Sequence, residues 1–202
     1  MQVKDKVFIL RKVRYGDADL ILNCLNSRGS RVSFYARSAL KSKKRFGGGV
    51  LEPTHYVQVI YEDKSGTSPA ENPLHTLKEA ALIADFPGVR TDYARIELAL
   101  HFVRLICDVV RDGDIDSADL FNLLGNSLRA AETSSRLDRL RIHFEVKLLV
   151  NQGVLPLEAE ENELLQAAIS AHETVPLSDE QWAAVAAQSR RVLRDYLHHT
   201  PA

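Results

Sequence analysis

The sequence predicts an α+β protein with its strands and helices in separate halves, for three reasons. Up to about residue 77, short runs rich in β-branched and aromatic residues alternate with glycine-containing turns. Between Asp92 and Asp112 the apolar residues recur at a helical period, and helical texture continues to the end of the chain. Charge divides along the same line. Residues 1–50 hold twelve Lys/Arg against three Asp/Glu, a surplus of nine positive charges that leaves −10 on the remainder and −1 on all 202 residues. Domains of residues 1–80 and 81–202 are expected.

The first half divides into five strand-like runs. Val3 to Val13 alternates imperfectly around Val7 and Ile9, and Ala18 to Leu25 and Arg31 to Tyr35 repeat the texture. Tyr15-Gly16-Asp17 and Ser27-Arg28-Gly29-Ser30 supply the turns, with Gly29 available for a positive φ between paired strands. Leu51 to Tyr61 is rich in Tyr, Val and Ile, and after a polar loop from Asp63 to Pro73 a short run from Leu74 to Leu77 can close the sheet. Five short antiparallel strands remove their edges by closing into a barrel, and the oligonucleotide-binding (OB) type fits the count.

Beyond it, Ala99, Phe102, Val103, Ile106 and Val110 line one helix face, with His101, Arg104, Asp108 and Arg111 opposite. Further helices are expected at Ala118–Glu132, at Arg136–Asn151 with Gly153 as its stop, at Glu158–His172, and at Asp179–His199 with Ser178 and Gln181 as a capping box. An OB-fold barrel packed against an all-helical C-terminal domain is the architecture this implies.

Several function classes find no support. Cys24 and Cys107 sit in apolar stretches and read as buried thiols in a reducing compartment. Asp112, Asp114 and Asp116 resemble the start of a calcium loop, but Ser117 and Leu123 stand where glycine and glutamate are needed. The seven histidines and two cysteines have no zinc-ligand spacing. Gly47-Gly48-Gly49 runs into Val50 and Leu51, not into Lys-Ser/Thr, and no nucleophile elbow is present. No metal, cofactor or catalytic activity is expected. The N-terminal MQVKDKVFIL lacks a leader pattern and no apolar run nears the roughly 20 residues that cross a bilayer. No membrane partner is expected, and the predicted location is cytoplasmic, beside the nucleoid.

The segment ARSALKSKKRFGGGVLEP, from Ala36 to Pro53, concentrates Arg37, Lys41, Lys43, Lys44 and Arg45 beside three glycines. It is expected to be an exposed loop outside the core, whose mutually repelling cations favour a polyanion. Exposed loops also carry lysine for solubility alone. Phe34, Tyr35, Phe46 and Tyr56 accompany the charges, as in single-strand binding sites, although Phe34 and Tyr56 equally suit a barrel interior. Phe46, beside Arg45, is the preferred stacking residue. In the helical half, Arg139, His143 and Lys147 form a stripe at four-residue spacing, read as a solvated face or as a clamp for an acidic peptide.

FILRKVRYGDADLILNCLNSRGSRVSFYARSALKSKKRFGGGVLEP, TLKEAALIADFPGVR and FEVKLLVNQGVLP, in that order and spacing, resemble the bacterial DNA repair family RecO, whose members are recombination mediators. The resemblance implies an OB-fold protein that is not an enzyme, binds single- and double-stranded DNA, anneals strands coated by single-strand-binding protein, and helps load RecA together with RecR. Arg11, Arg14, Arg31, Arg37, Lys41, Lys43, Lys44 and Arg45, with Phe46, would contact DNA. Arg139, Arg141 and Lys147 would receive the C-terminal tail of single-strand-binding protein. Many members continue into a four-cysteine zinc module, whereas no cysteine follows Leu155 here, so zinc is not expected. The alternative is an adaptor whose basic barrel meets an acidic protein surface. A third possibility, a phosphodiesterase using the basic loop as a phosphate clamp, would need metal-dependent turnover.

Overall fold

The computed structural model describes residues 1–64, 73–110, 118–156 and 158–199. Residues 111–117, with the calcium-like aspartates, and most of the expected polar loop lie outside that set. The chain divides into two compact units, one made of residues 1–86 and 103–121 and the other of residues 87–102 and 122–202.

In the first unit, strands β1 (Gln2–Tyr15), β2 (Asp19–Asn26), β3 (Arg31–Ala36), β4 (Tyr56–Glu62) and β5 (Leu74–Ala84) form a closed barrel in the order β1-β2-β3-β5-β4. This is the OB-fold arrangement, with β3 and β5 parallel and every other pair antiparallel. β1 serves two neighbours. Gln2 to Phe8 pair with β4, Val7 to Tyr15 pair with β2, and a register shift between Ile9 and Arg11 bends the strand between them. In the β2–β3 turn, Gly29 adopts φ 84°, and Asn26 Oδ1 accepts from the backbone N–H groups of Arg28 and Ser30. The barrel core gathers Val7, Ile9, Leu20, Leu22, Cys24, Phe34, Val57, Val59 and Leu77, all buried. Cys107, expected in a core, is only half-buried.

Two expectations change here. β5 does not stop at Leu77 but runs to Ala84 through a sequence, KEAALIA, that favours helix. Pairing with β4 from Glu62↔Thr76 to Tyr56↔Ala84 overrides that local preference and carries the strand past residue 80. Nor does the glycine-rich basic segment stay outside the core. Lys43–Phe46 forms a one-turn helix, α1, capped by Ser42 and ended by Gly47 at φ 55°, and it seats Phe46 and Leu51 in the barrel core.

Helix α2 (Tyr93–Val109) gives its residues up to Phe102 to the second unit and those from Val103 to the first. α3 (Asp119–Thr133), α4 (Leu137–Asn151), α5 (Ala159–Gln166) and α6 (Asp179–His199) follow. α4 ends as expected at Gly153, where the Val154 N–H bonds to Leu149 O and the Gly153 N–H to Val150 O. The capping box of α6 forms in both directions, with the Ser178 N–H donating to Gln181 Oε1 and the Gln181 N–H to Ser178 Oγ. The expected helix to His172 instead breaks at Ala167, and a short 3-10 turn covers Ile169–Ala171. Phe102 stacks on Phe144 with ring centroids 4.2 Å apart at the centre of this unit.

Candidate nucleic-acid interface

The connection from β3 to β4 displays its cations because two anchors hold it. At its start, Asp19 Oδ1 accepts the Ser38 N–H at 2.7 Å, and Ser38 takes φ 55°. At its middle, Phe46 is 1% exposed and fixes α1 on the barrel. Between and around these anchors Arg37, Lys41, Lys43 and Lys44 are exposed. None of the four has an ion pair among the described residues. Such crowding raises the local potential and is relieved by polyanions.

Arg45 behaves differently from its neighbours. Its Nε donates to Ser42 Oγ at 3.2 Å, one terminal nitrogen donates to Arg37 O at 2.7 Å, and its guanidinium lies 4.9 Å from the Phe46 ring centroid. It braces the loop from within. Phe46, expected to stack on bases, is corrected to a core residue, because its ring is enclosed by the barrel interior. Phe34 also fills the barrel, and Tyr56 stacks on Phe8 at 4.8 Å.

Arg11 and Arg14 are exposed on β1. Arg11 opposes Asn23, which opposes Ser33, so this row shares the outward face of β1–β2–β3. Arg14 opposes Leu20 near the β1–β2 turn. Arg31 begins β3 and is half-buried, and it and Arg11 lie near enough to Cys107 to favour its thiolate, although burial dominates and pushes that thiol up. Lys12 is spent locally, its Nζ lying 2.5 Å from Glu52 Oε2.

The outward face carries Tyr35, named from the sequence beside the cations, and Tyr15, which the sequence does not single out. Val13 opposes Ile21, Ile21 opposes Tyr35, and Tyr15 closes the β1 side of the face. Tyr15 and Tyr35 meet edge to face, with centroids 6.1 Å apart and planes at 88°. The Tyr35 hydroxyl donates to Asp19 Oδ2. That bond, the Ser38 N–H and the neighbouring Arg37 hold the Asp19 carboxyl below its ordinary range, while the same bond to Asp19 raises the Tyr35 phenol. The signal available in sequence was period-two alternation, which puts residues 13, 15, 21 and 35 outward once the register is known.

The expected basic stripe on α4 does not form. His143 is wholly buried, with its Nε2 2.6 Å from Leu164 O, and burial lowers its pKa to about 4. Lys147 donates to Leu165 O at 2.6 Å, and burial also lowers its pKa. Arg139 bonds to Asp179 Oδ1 at 3.0 Å and lies 5.3 Å from the Trp182 ring centroid. Arg141 donates to buried Glu145, which also meets His101 Nε2 at 2.8 Å. Burial pushes the Glu145 carboxyl up, and these two bonds outweigh it to hold the group low. Arg139 and Lys147 are thus engaged by the surrounding segments, while Arg141 stays exposed with its Nε on Glu145.

Among the described residues no helix is long and apolar enough to cross a membrane, and no group of three or more His, Cys, Asp or Glu side chains could hold a metal.

The family described as "Recombination protein O N terminal" matches residues 1–86, the barrel and the basic connection together. A "DNA repair protein RecO" of Desulfosudis oleivorans is 33% identical over 150 residues, 73% of this chain and 55% of that protein. The chain belongs to the RecO family of DNA repair proteins. A second relative of the same name, from Maridesulfovibrio salexigens, is 30% identical over 77% of this chain and 61% of its own length. One from Myxococcus xanthus is 28% identical over 75% of this chain and 59% of its own length. The matched region therefore spans less than two thirds of these RecO relatives. None of these names is that of a catalytic family.

Proposed function

We propose that this RecO chain binds nucleic-acid backbones through Arg37, Lys41, Lys43 and Lys44, flanked by Arg11 and Arg14, and acts as a recombination mediator without bond-making chemistry. The observation that supports this most is the group of exposed cations without ion pairs among the described residues, on a connection fixed by Phe46. Neutralising phosphates releases counterions and lowers the repulsion between two strands brought to one surface. Annealing of complementary strands follows from that charge neutralisation, and family membership supports cooperation with RecR in loading RecA. Arg31 contributes at the margin of this surface, and Arg45 acts by holding the loop in shape. The helical unit remains the place proposed for contacts with single-strand-binding protein, with Arg141 the most exposed of the candidates Arg139, Arg141 and Lys147.

The test is a salt titration with a labelled single-stranded oligonucleotide. If about five phosphates are neutralised, log affinity falls with log salt at a slope of roughly −3.5. Replacing Arg37, Lys41, Lys43 and Lys44 together by Gln removes about 2.8 from that slope, and weakens binding at roughly 0.1 M salt by several hundred-fold. An unchanged slope in a folded variant refutes this loop as the main contact. Binding that occurs only with a protein partner supports the adaptor reading instead.

A further inference from the structure

Tyr15 is 58% exposed, an unusual position for a large ring that has a neighbouring aromatic to pack on. Its edge-to-face contact with Tyr35 leaves Tyr15 exposed and Tyr35 half-buried. In such a pair the ring that presents its edge keeps both faces open, and the other keeps one. The Tyr35 hydroxyl is tied to Asp19, and Asp19 is tied in turn to the Ser38 N–H, so this ring is locked to the start of the basic connection. Val13, 41% exposed, and Ile21 continue the apolar surface beside the pair.

Position matters as much as exposure. Arg11 lies on the same outward face, and Arg37 lies within electrostatic range of both Asp19 and Tyr35. Phosphates held by these arginines would place their own bases over the rings, since backbone-tracking charge and aromatic surface then alternate within one nucleotide's reach. The Asp19 carboxylate would oppose a phosphate, but its two oxygens are engaged by Tyr35 and Ser38 and it lies beside Arg37. Its charge is thus largely offset, and it does not bar a strand from the rings beside it.

The geometry points to Tyr15 and Tyr35 as a base-stacking site for single-stranded nucleic acid. It rests on the backbone contacts proposed above and adds to them a means of telling single strands from duplexes. A duplex keeps its bases stacked and paired, so it gains the cations' attraction but not the rings'. Single-strand preference then belongs to the outward face of β1–β3, and non-selective attraction to the connection.

The experiment compares three ligands at one salt concentration: a thymidine oligonucleotide, an abasic oligonucleotide of equal length, and a duplex. The unaltered protein is expected to bind the thymidine strand roughly 5- to 100-fold more tightly than the abasic strand. Tyr15→Leu, at an exposed position, should abolish most of that difference while leaving duplex affinity and salt slope unchanged. Tyr15→Trp should restore it. Tyr35→Phe, which keeps the ring and loses only the tie to Asp19, should weaken it partially. Equal binding of thymidine and abasic strands by the unaltered protein, or a difference that survives Tyr15→Leu, overturns the stacking site and leaves the backbone reading standing. Failure to bind any of the three in dilute salt overturns both.

Discussion

The cations of the barrel and those of the helical unit are alike in chemistry and opposite in circumstance. On the connection between β3 and β4, Arg37, Lys41, Lys43 and Lys44 face solvent without ion pairs among the described residues. On α4, Arg139 and Lys147 are engaged by Asp179 and the Leu165 carbonyl, and His143 by the Leu164 carbonyl. A charge whose donors are met internally organises its own unit, whereas a crowd of unmet charges stores repulsion that an external polyanion relieves. Counting basic residues along the sequence cannot separate the two, because the distinction lies in what each side chain finds after folding.

The contrast breaks most visibly at the anchor. Phe46→Ala should cost about 3–5 kcal/mol of barrel stability by opening a cavity beneath the cations. Exchange of Lys43 and Lys44 for Gln should change stability by less than about 0.5 kcal/mol. Urea unfolding followed by circular dichroism measures both, and an unaltered midpoint for Phe46→Ala would show that the connection does not depend on its ring.

Acidification probes the internal side. The folded pKa of His143, about 4, lies below its unfolded value of 6.5 because of burial and the nearby charge of Lys147. The unfolded chain therefore takes up the proton first. His143 contributes its full stability above pH 6.5 and loses it progressively as pH falls toward 4. Between pH 7.5 and 5 the loss should be about 2 kcal/mol, seen as a falling melting temperature. His143→Gln should flatten that dependence, while the affinity of the connection for oligonucleotide stays the same; an equal slope in the variant would assign the acid sensitivity elsewhere.

The smallest effect is also the most selective. Arg139→Gln removes the pair with exposed Asp179 and the contact with Trp182. It should cost about 1 kcal/mol or less and alter oligonucleotide affinity by under about twofold. A larger loss of binding would mean that an internally tied arginine also reaches the ligand.

Much of this was legible beforehand. The five strands, the Gly29 turn, the Gly153 stop and the Ser178–Gln181 box depend on local patterns that the fold respected. The sequence hides the burial of Phe46, because a window crowded with lysine and glycine looks wholly exposed and burial of one ring inside it depends on strands elsewhere. The sequence likewise hides the burial of His143, because four-residue spacing predicts a polar face only for a helix with one side in water. α4 has none of that simplicity, since Leu140, His143, Phe144, Glu145, Val146, Leu148 and Leu149 are all buried around its circumference. The Tyr15–Tyr35 pair needed the β1–β2–β3 register, which joins residues separated along the chain.

The seating of Phe46 also bears on kinetics. Because the one-turn helix is docked through Phe46, the backbone that carries Lys43 and Lys44 is already in place. Capture then demands no prior disorder-to-order step in this connection, and its speed is governed by diffusion through the field and by the angle of approach.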